Sequence, residues 1–230
     1  MIAALIFDKD GTLFDFTATW GGWARSALVA LARGDADLAA RLATAMRYDP
    51  VAGLFAPDST VIAGTTAEVA ELLLPHLPGR QAAEIAAELN ALSAQAEQVP
   101  AVDLPKVLGA LHGRGLRLGL ATNDSEASAR AHLAGAGVAD LFDFVAGYDS
   151  GHGAKPGPGQ LLAFAGAQGL APAEVAMVGD SLHDAAAARA AGMASVGVLT
   201  GVAPRDVLEP AFDVVLPDIA ALSGWLETRR

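Results

Sequence analysis

The sequence predicts an α/β fold in which a three-layer core with a mainly parallel sheet is interrupted by an inserted α-helical domain. Two observations lead to this prediction. Short apolar segments bounded by Gly, Asp or Asn alternate with helical patterns at intervals of about 20 to 30 residues, which is typical of right-handed βαβ units. The long stretch between the first two apolar segments breaks this rhythm, because it carries helical patterns alone.

Each element is predicted from its apolar pattern and its flanking residues. Strands are predicted at 2–7, 117–121, 144–146, 175–178 and 195–198, with 214–216 a possible sixth. Core helices are predicted at 105–114, 126–136, 158–168, 184–191 and 218–226. Residues 16–99, which we call the helical insertion, show helical patterns at 19–33, 36–47, 65–74 and 80–98 and no convincing strand.

Composition narrows the functional classes. The 230 residues include 15 basic and 26 acidic side chains, and the net charge of -11 would repel nucleic acids and phospholipid surfaces. The absence of Cys excludes disulfides, thiolate catalysis and cysteine-based zinc sites.

The apolar run at residues 1–7 is too short for a signal peptide, so we expect a soluble cytoplasmic protein. An acidic protein that handles an anionic substrate needs local positive charge from a cation or a buried lysine.

The first candidate motif, DKDGTL at residues 8–13, directly follows the first predicted strand. Ligand chemistry in parallel α/β sheets lies at the carboxyl ends of strands, which is where this turn falls. Asp8 and Asp10 are two residues apart, and two carboxylates so close repel each other. A bound cation is the natural way to keep Asp8 ionised in spite of this repulsion. The alternative is an ordinary acidic turn.

Two later segments carry groups suited to phosphate. Thr122 follows strand 117–121, and its hydroxyl and the next backbone N–H groups could bind phosphate oxygens. The same Thr-Asn-Asp-Ser run is also an ordinary helix cap. Lys155, one of three lysines, lies in a loop rich in Gly and Pro before a helix that Pro158 is suited to start. The alternative for Lys155 is a solvated loop lysine.

The last motif, VGDSLHD at residues 178–184, is again a strand followed by an acidic turn and a helix. Asp180 and Asp184 could both face a cation that Asp8 also contacts. Hard oxygen ligands in a chain without Cys favour magnesium over zinc. Alternatively, Asp184 is a first-turn helix acid favoured by the helix dipole.

In combination these motifs resemble those of the haloacid dehalogenase (HAD) superfamily, in its phosphatase branch. The shared pattern is D-x-D-G-T, a strand-terminal Thr, Lys-Pro and G-D-x-x-x-D, from Asp8 to Asp184. The resemblance implies a Rossmann-like core of residues 1–15 and 100–230, with residues 16–99 as a C1 cap like that of phosphoglycolate phosphatase-like members. Position nine is usually apolar or aromatic in this superfamily, so Lys9 is a departure whose role the sequence leaves open.

The resemblance also implies roles for individual residues. Asp8 is the expected nucleophile that forms an aspartyl-phosphate, and Asp10 the general acid and then base. Mg²⁺ is expected to bind Asp8, Asp180 and the backbone carbonyl of Asp10. Asp184 is expected either to bind the ion directly or to contact its ligands. The expected phosphate-binding and substrate-binding residues are Gly11, Thr12, Thr122, Asn123, Lys155 and Arg47.

Residue content separates the branches of the superfamily. Dehalogenases lack the second aspartate, so Asp10 argues against them. Phosphonoacetaldehyde hydrolases need a cap lysine, and the helical insertion has none. A sugar phosphomutase shares all four motifs and stays open. A phosphoacceptor signalling module is the alternative from another class, but such modules are shorter and carry no large insertion.

The substrate is expected to be a small phosphorylated metabolite, with phosphoglycolate the leading candidate by family analogy alone. Arg25 and Arg47 are candidates for a substrate carboxylate or second phosphate, with Trp20 and Trp23 as walls. A surface role for the arginines and a core role for the tryptophans are the alternatives. His152 and His183 flank motifs and are interpreted as bystanders. No nucleic acid or membrane partner is expected, and the protein is expected to be a monomer or a homodimer.

Overall fold

The computed structural model describes residues 1–228, which form a six-stranded sheet, a small hairpin and surrounding helices. The strands are β1 (Ala4–Phe7), β2 (Tyr48–Asp49), β3 (Leu54–Phe55), β4 (Arg117–Ala121), β5 (Phe144–Ala146), β6 (Val175–Gly179), β7 (Ala194–Val198) and β8 (Val214–Leu216). The α-helices are α1 (Phe16–Ala32), α2 (Ala36–Ala45), α3 (Thr60–Ala63), α4 (Thr66–Leu73), α5 (Ala82–Ser93), α6 (Leu104–Gly113), α7 (Glu126–Gly135), α8 (Gly159–Gln168), α9 (Leu182–Ala191), α10 (Arg205–Leu208) and α11 (Leu222–Glu227).

The large sheet has the order β5-β4-β1-β6-β7-β8, and all its neighbouring strands are parallel. β1 lies in the middle, where Phe7 is opposite Leu120 of β4 and Val178 of β6. The carboxyl ends of β1, β4 and β6 therefore meet at one edge of the sheet. The predicted α/β fold with a parallel sheet is confirmed.

Alternation along β1 explains the three layers, because successive strand side chains point to opposite faces. Leu5 and Phe7 are fully buried in one cluster, with apolar residues of α6, α7 and α11. Ala4 and Ile6 are buried in a second cluster, with residues of α8 and α9. Helices therefore cover both faces of the sheet.

The helical insertion buries an apolar cluster of its own, formed by α1 to α5 and the residues between them. α1 begins three residues earlier than predicted, at Phe16, because Asp15 caps it by accepting a hydrogen bond from Ala18 N at 2.8 Å. The hairpin of β2 and β3 was not predicted, since strands of two residues are too short to show an alternating pattern. Within residues 1–228, no helix has both the length and the apolar character to cross a membrane.

Candidate active site

The Asp8 turn is tied to the strand beside it. Asp8 N donates to Val178 O at 2.8 Å, which continues the pairing of β1 with β6. Gly11 has a φ of 78°, and a Cβ at this position would overlap the Asp180 carboxylate. Thr12 Oγ1 donates to Asp180 Oδ1 at 3.4 Å. The sequence needs glycine at position 11 because the turn closes directly onto Asp180.

Three buried carboxylates converge at this sheet edge, as the motif spacing predicts. One oxygen each of Asp8, Asp180 and Asp184 lies within 4.8 Å of the others. Lys155 Nζ reaches into the cluster, 2.8 Å from Asp8 Oδ1 and 2.7 Å from Asp184 Oδ1. Asp184 Oδ2 accepts from the N and Oγ of Ser181, so the N-terminal turn of α9 fixes its orientation.

The electrostatics of the cluster show a shortage of positive charge. Burial raises the pKa of Asp8 to about 7, helped by Asp184 and Asp10 and opposed by Lys155. Burial holds the pKa of Asp180 well above its ordinary range, and the nearby carboxylates of Asp8 and Asp184 raise it further. Burial alone would lower the pKa of Lys155, but Asp184 and Asp8 outweigh it, and the net effect raises that pKa. Lys155 is therefore charged, and it is the single cation facing three acids among the described residues.

The donor set fits a divalent cation. Three carboxylate oxygens are hard ligands of the kind that Mg²⁺ prefers, and the raised pKa values of Asp8 and Asp180 mark the charge that a cation would neutralise. The carboxylate of Asp10 is not in this group of three, because it pairs with Lys9.

Thr122 and Asn123 follow β4 at the same edge. Ser125, the last residue of the Thr-Asn-Asp-Ser run, caps α7, so the helix-cap interpretation is correct for this run. Thr122 Oγ1 accepts from Asp124 N at 3.1 Å, and Thr122 also lines the cavity described below. The Asn123 side chain brackets the Lys155 backbone: its Oδ1 accepts from Lys155 N at 2.9 Å and its Nδ2 donates to Lys155 O at 2.8 Å. The same Nδ2 donates to Ala63 O of the insertion at 2.8 Å. Asn123 thus holds the Lys155 loop.

Lys9, which the sequence leaves undecided, is fully buried and turned toward the insertion. Its Nζ lies 2.7 Å from the carboxylate of Asp10, 3.2 Å from Asp124 Oδ2 and 3.0 Å from His132 Nδ1. It also lies 5.5 Å from the centroid of the Trp20 ring. Asp10 and Asp124 outweigh the burial that opposes them, so the pKa of Lys9 is raised and the side chain is charged.

This Lys9 cluster continues onto the helical insertion. Ser93 Oγ, at the end of α5, donates to Asp124 Oδ2 at 2.8 Å. The Nε2 of His132 lies 2.8 Å from Ser93 O. Burial lowers the pKa of His132, and Lys9 lowers it further. The sequence gives no sign of these contacts, since His132 is 123 residues from Lys9.

A cavity lies between the sheet edge and the insertion. Its floor carries Asp8, Asp10, Thr122 and Lys155. The predicted walls Trp20 and Trp23 line it, and so does His183, whose Nδ1 lies 3.1 Å from Ala63 O.

Other sequence candidates lie elsewhere. Arg47 is exposed and its Nε is 2.6 Å from Asp58 Oδ1, so the structure does not bring it to the cavity. Arg25 Nη1 donates to Tyr48 Oη at 3.3 Å, away from the cavity. His152 is exposed, with its ring 6.0 Å from that of Phe144. Conversely, sequence reasoning missed Thr200, whose hydroxyl donates to Gly11 O at 2.7 Å and braces the Asp8 turn.

Comparisons with known proteins identify the family of the chain. Residues 2–192 match a family model for haloacid dehalogenase-like hydrolases. The phosphoglycolate phosphatase of Rhodospirillum rubrum is 41% identical over 120 residues, which cover 52% of this chain and 50% of that protein. The chain spans about half the length of the curated relatives it matches.

Solved structures share the fold over nearly the whole chain. A HAD phosphatase from Thermococcus onnurineus has a TM-score of 0.68 at 22% identity, covering 98% of each chain. A beta-phosphoglucomutase from Clostridium difficile has a TM-score of 0.68 at 20% identity, covering 100% of this chain and 97% of that one. Because the family model matches most of the sequence, the protein belongs to the haloacid dehalogenase-like hydrolase family.

Proposed function

We propose that the protein is a Mg²⁺-dependent phosphomonoesterase that uses Asp8 as its nucleophile and acts on a small phosphorylated metabolite. One observation carries the proposal: Asp8 lies at the floor of a cavity, 2.8 Å from Lys155 Nζ, with Asp10 lining the same cavity. Phosphoryl transfer needs positioning and charge neutralisation above all, and this arrangement offers both.

The contacts of Asp8 suggest which of its oxygens attacks. Lys9 N and Lys155 Nζ both lie against Oδ1, at 2.6 Å and 2.8 Å. Neither contact involves Oδ2, which is therefore the oxygen expected to form the bond to phosphorus. As that bond forms, the bond from phosphorus to the substrate's ester oxygen breaks, and Asp10 gives its proton to the departing oxygen.

The second half of the reaction uses the same residues in reverse. Asp10 now takes a proton from water, the water oxygen bonds to phosphorus, and the bond between phosphorus and Asp8 breaks. Lys155 and the Thr122 hydroxyl hold the phosphoryl oxygens through both steps, and the Asn123 side chain keeps the Lys155 loop in place. Closure of the insertion over this floor excludes bulk water.

The proposed metal ligands are Asp8, Asp180 and the backbone carbonyl of Asp10, with Asp184 either a further direct ligand or a residue just outside the ligand set. When bound, Mg²⁺ supplies positive charge beside the phosphoryl group and the Asp8 carboxylate. The raised pKa values of Asp8 and Asp180 support a need for that charge.

The test is the Asp8→Asn variant, assayed for Mg²⁺-dependent release of phosphate from p-nitrophenyl phosphate. We expect activity to be lost while the circular dichroism spectrum is unchanged. Asp58→Asn, at an exposed site of the insertion, is the matched control and should retain activity. Near-normal turnover by Asp8→Asn would overturn the proposal.

Phosphoglycolate, the substrate in the names of several relatives, is one candidate substrate. A screen of phosphorylated metabolites with phosphate detection tests it beside sugar phosphates. Strong interconversion of sugar phosphates with little phosphate release would favour a phosphomutase instead.

A further inference from the structure

The side of the cavity that faces the substrate's leaving group is formed by the insertion, and it is apolar. Seven hydrophobic side chains line it: Phe16, Trp20, Trp23, Val61, Ile62, Ala63 and Val69. These side chains line the same cavity as the carboxylates of Asp8 and Asp10. Two side chains on the insertion side offer a polar group to the cavity within residues 1–228, namely Thr66 with its hydroxyl and Trp20 with its indole N–H. The Trp20 Nε1 is buried and has no hydrogen-bond partner among the described residues.

Positive charge is missing from the same side. The insertion contains no lysine, and its five arginines all lie away from the cavity in the described part of the chain. Four of them are exposed, namely Arg25, Arg33, Arg41 and Arg47. Arg80 is paired with Glu84 and Glu88, at 3.6 Å and 2.9 Å.

The lysine that does line the cavity is already paired. Lys155 lies between Asp8 and Asp184, at the position for the phosphoryl group. Asp8, Asp10 and Asp124 also line the cavity, and Asp10 and Asp124 are already paired with Lys9. Apart from the imidazole of His183, the described lining offers no basic side chain that is free of a carboxylate partner, so a second anionic group on the substrate would be buried largely unpaired, which is unfavourable.

We propose that the natural leaving group is an uncharged alcohol with an apolar body, of the aryl-methyl or short alkyl class, and not a hydroxy acid or a sugar. This inference rests on the proposed phosphatase function and specifies its substrate class. An aromatic or aliphatic body is buried against Trp20, Trp23 and Phe16, which favours binding. A sugar brings several hydroxyl groups, and in the described part of the insertion the side-chain partners for them are the Thr66 hydroxyl and the Trp20 indole N–H, with Ser181 and His183 on the sheet side.

A matched pair of substrates tests the inference. Phosphoglycolate and n-propyl phosphate have leaving groups of similar size, and only the first carries a carboxylate. With Mg²⁺, we expect kcat/KM to be at least about tenfold higher for n-propyl phosphate, and higher again for benzyl phosphate, because each added apolar group is worth about tenfold or more. Glucose 6-phosphate should be a poorer substrate than benzyl phosphate.

A substitution in the wall sharpens the test. Ile62 is half-buried and lines the cavity, so Ile62→Arg would add the missing cation at a site with room near solvent. We expect Ile62→Arg to raise the ratio of kcat/KM for phosphoglycolate over n-propyl phosphate by about tenfold. Val51→Arg, at an exposed site of the insertion away from the cavity, is the control that adds the same charge, and it should leave this ratio within about twofold of the wild-type value.

The outcomes distinguish a failure of the proposed substrate class from a failure of the proposed phosphatase function. Phosphate release with equal or better use of phosphoglycolate by the unmodified enzyme overturns the substrate class and leaves the phosphatase function standing. A preference for glucose 6-phosphate over benzyl phosphate does the same. No release from any of these esters or from p-nitrophenyl phosphate overturns the phosphatase function, and the substrate class with it.

Discussion

Two buried lysines, each held between two aspartates, divide the site into two regions. Lys155 Nζ contacts Asp8 and Asp184, at 2.8 Å and 2.7 Å. Lys9 Nζ contacts Asp10 and Asp124, at 2.7 Å and 3.2 Å. Both lysines have raised pKa values, because their aspartate partners outweigh the effect of burial. The chemistry of the two clusters is alike, but their positions are not.

The difference lies in what each lysine faces. Lys155 lines the cavity and lies beside Asp8, the proposed nucleophile, so its charge is available to a phosphoryl group. Lys9 lies behind Asp10, under the Trp20 ring and next to His132, where no substrate reaches it. The comparison suggests that Lys155 acts on the substrate directly, whereas Lys9 is a positioning residue that orients Asp10 and links it to the insertion through Asp124 and Ser93.

The largest expected effect is that of Lys155→Met. Removing the cation beside the phosphoryl group should lower kcat/KM by about 10³-fold or more, for every ester, because charge stabilisation is lost whatever the leaving group. Steady-state kinetics with p-nitrophenyl phosphate and benzyl phosphate measure this. Lys106→Met, at an exposed site of α6, is the control and should behave as wild type. A loss below about tenfold would remove Lys155 from the proposed mechanism.

The next effect, that of Lys9→Met, should depend on the leaving group. If Lys9 orients Asp10, its loss lowers kcat/KM for benzyl phosphate by about 10²-fold, the scale of general acid catalysis. p-Nitrophenolate departs without a proton, so kcat/KM for p-nitrophenyl phosphate should fall far less. The ratio of kcat/KM for benzyl phosphate to kcat/KM for p-nitrophenyl phosphate is measured on the same variant. This ratio therefore does not depend on the fraction of the variant that is folded. Equal losses for both esters would make Lys9 a purely structural residue.

The smallest expected effect is a pH-dependent stabilisation by Mg²⁺. Burial raises the pKa of Asp8 to about 7 and that of Asp180 well above its usual value, so without metal the folded chain holds protons that the unfolded chain has lost. These two groups therefore lower the metal-free stability as the pH rises from about 4 toward 7.

Mg²⁺ should offset this loss, so its effect on Tm should be larger at about pH 7.5 than at about pH 5.5, by a few degrees. Thermal unfolding with Mg²⁺ or with a chelator measures the two shifts. Asp180→Asn, which removes one of the acids, should reduce the shift and its pH dependence. The same shift at both pH values would contradict the proposed coupling between these carboxylates and the ion.

The two regions also differ in how far the sequence predicts them. Asp8, Thr122 and Asp180 each follow a strand of a parallel sheet, and the carboxyl ends of neighbouring strands share one edge, so their convergence follows from the pattern. Lys155 was predicted from its loop and its scarcity. The direction of Lys9 was not, because periodicity does not fix the side chains of a turn, and its partner His132 is far away in the chain.

The insertion shows the same limit. Its helices follow from their apolar patterns, but which of its side chains face the core depends on how it docks. Arg47 was a substrate-binding candidate because of its charge and its position in the insertion. It pairs instead with Asp58, eleven residues further on, at the surface. The apolar wall at Ile62 and Val69 had no distinguishing motif, although these residues line the cavity.

The central claim is that Asp8 bonds covalently to phosphorus, and trapping that bond tests it most directly. Enzyme mixed with Mg²⁺ and benzyl phosphate would be quenched in acid during turnover, reduced with borohydride and digested. An aspartyl-phosphate is reduced to homoserine, so the account predicts homoserine in place of Asp8 in the N-terminal peptide, and none in the Asp8→Asn variant. Steady turnover with an unmodified Asp8 peptide in samples quenched during burst and steady-state phases would contradict it.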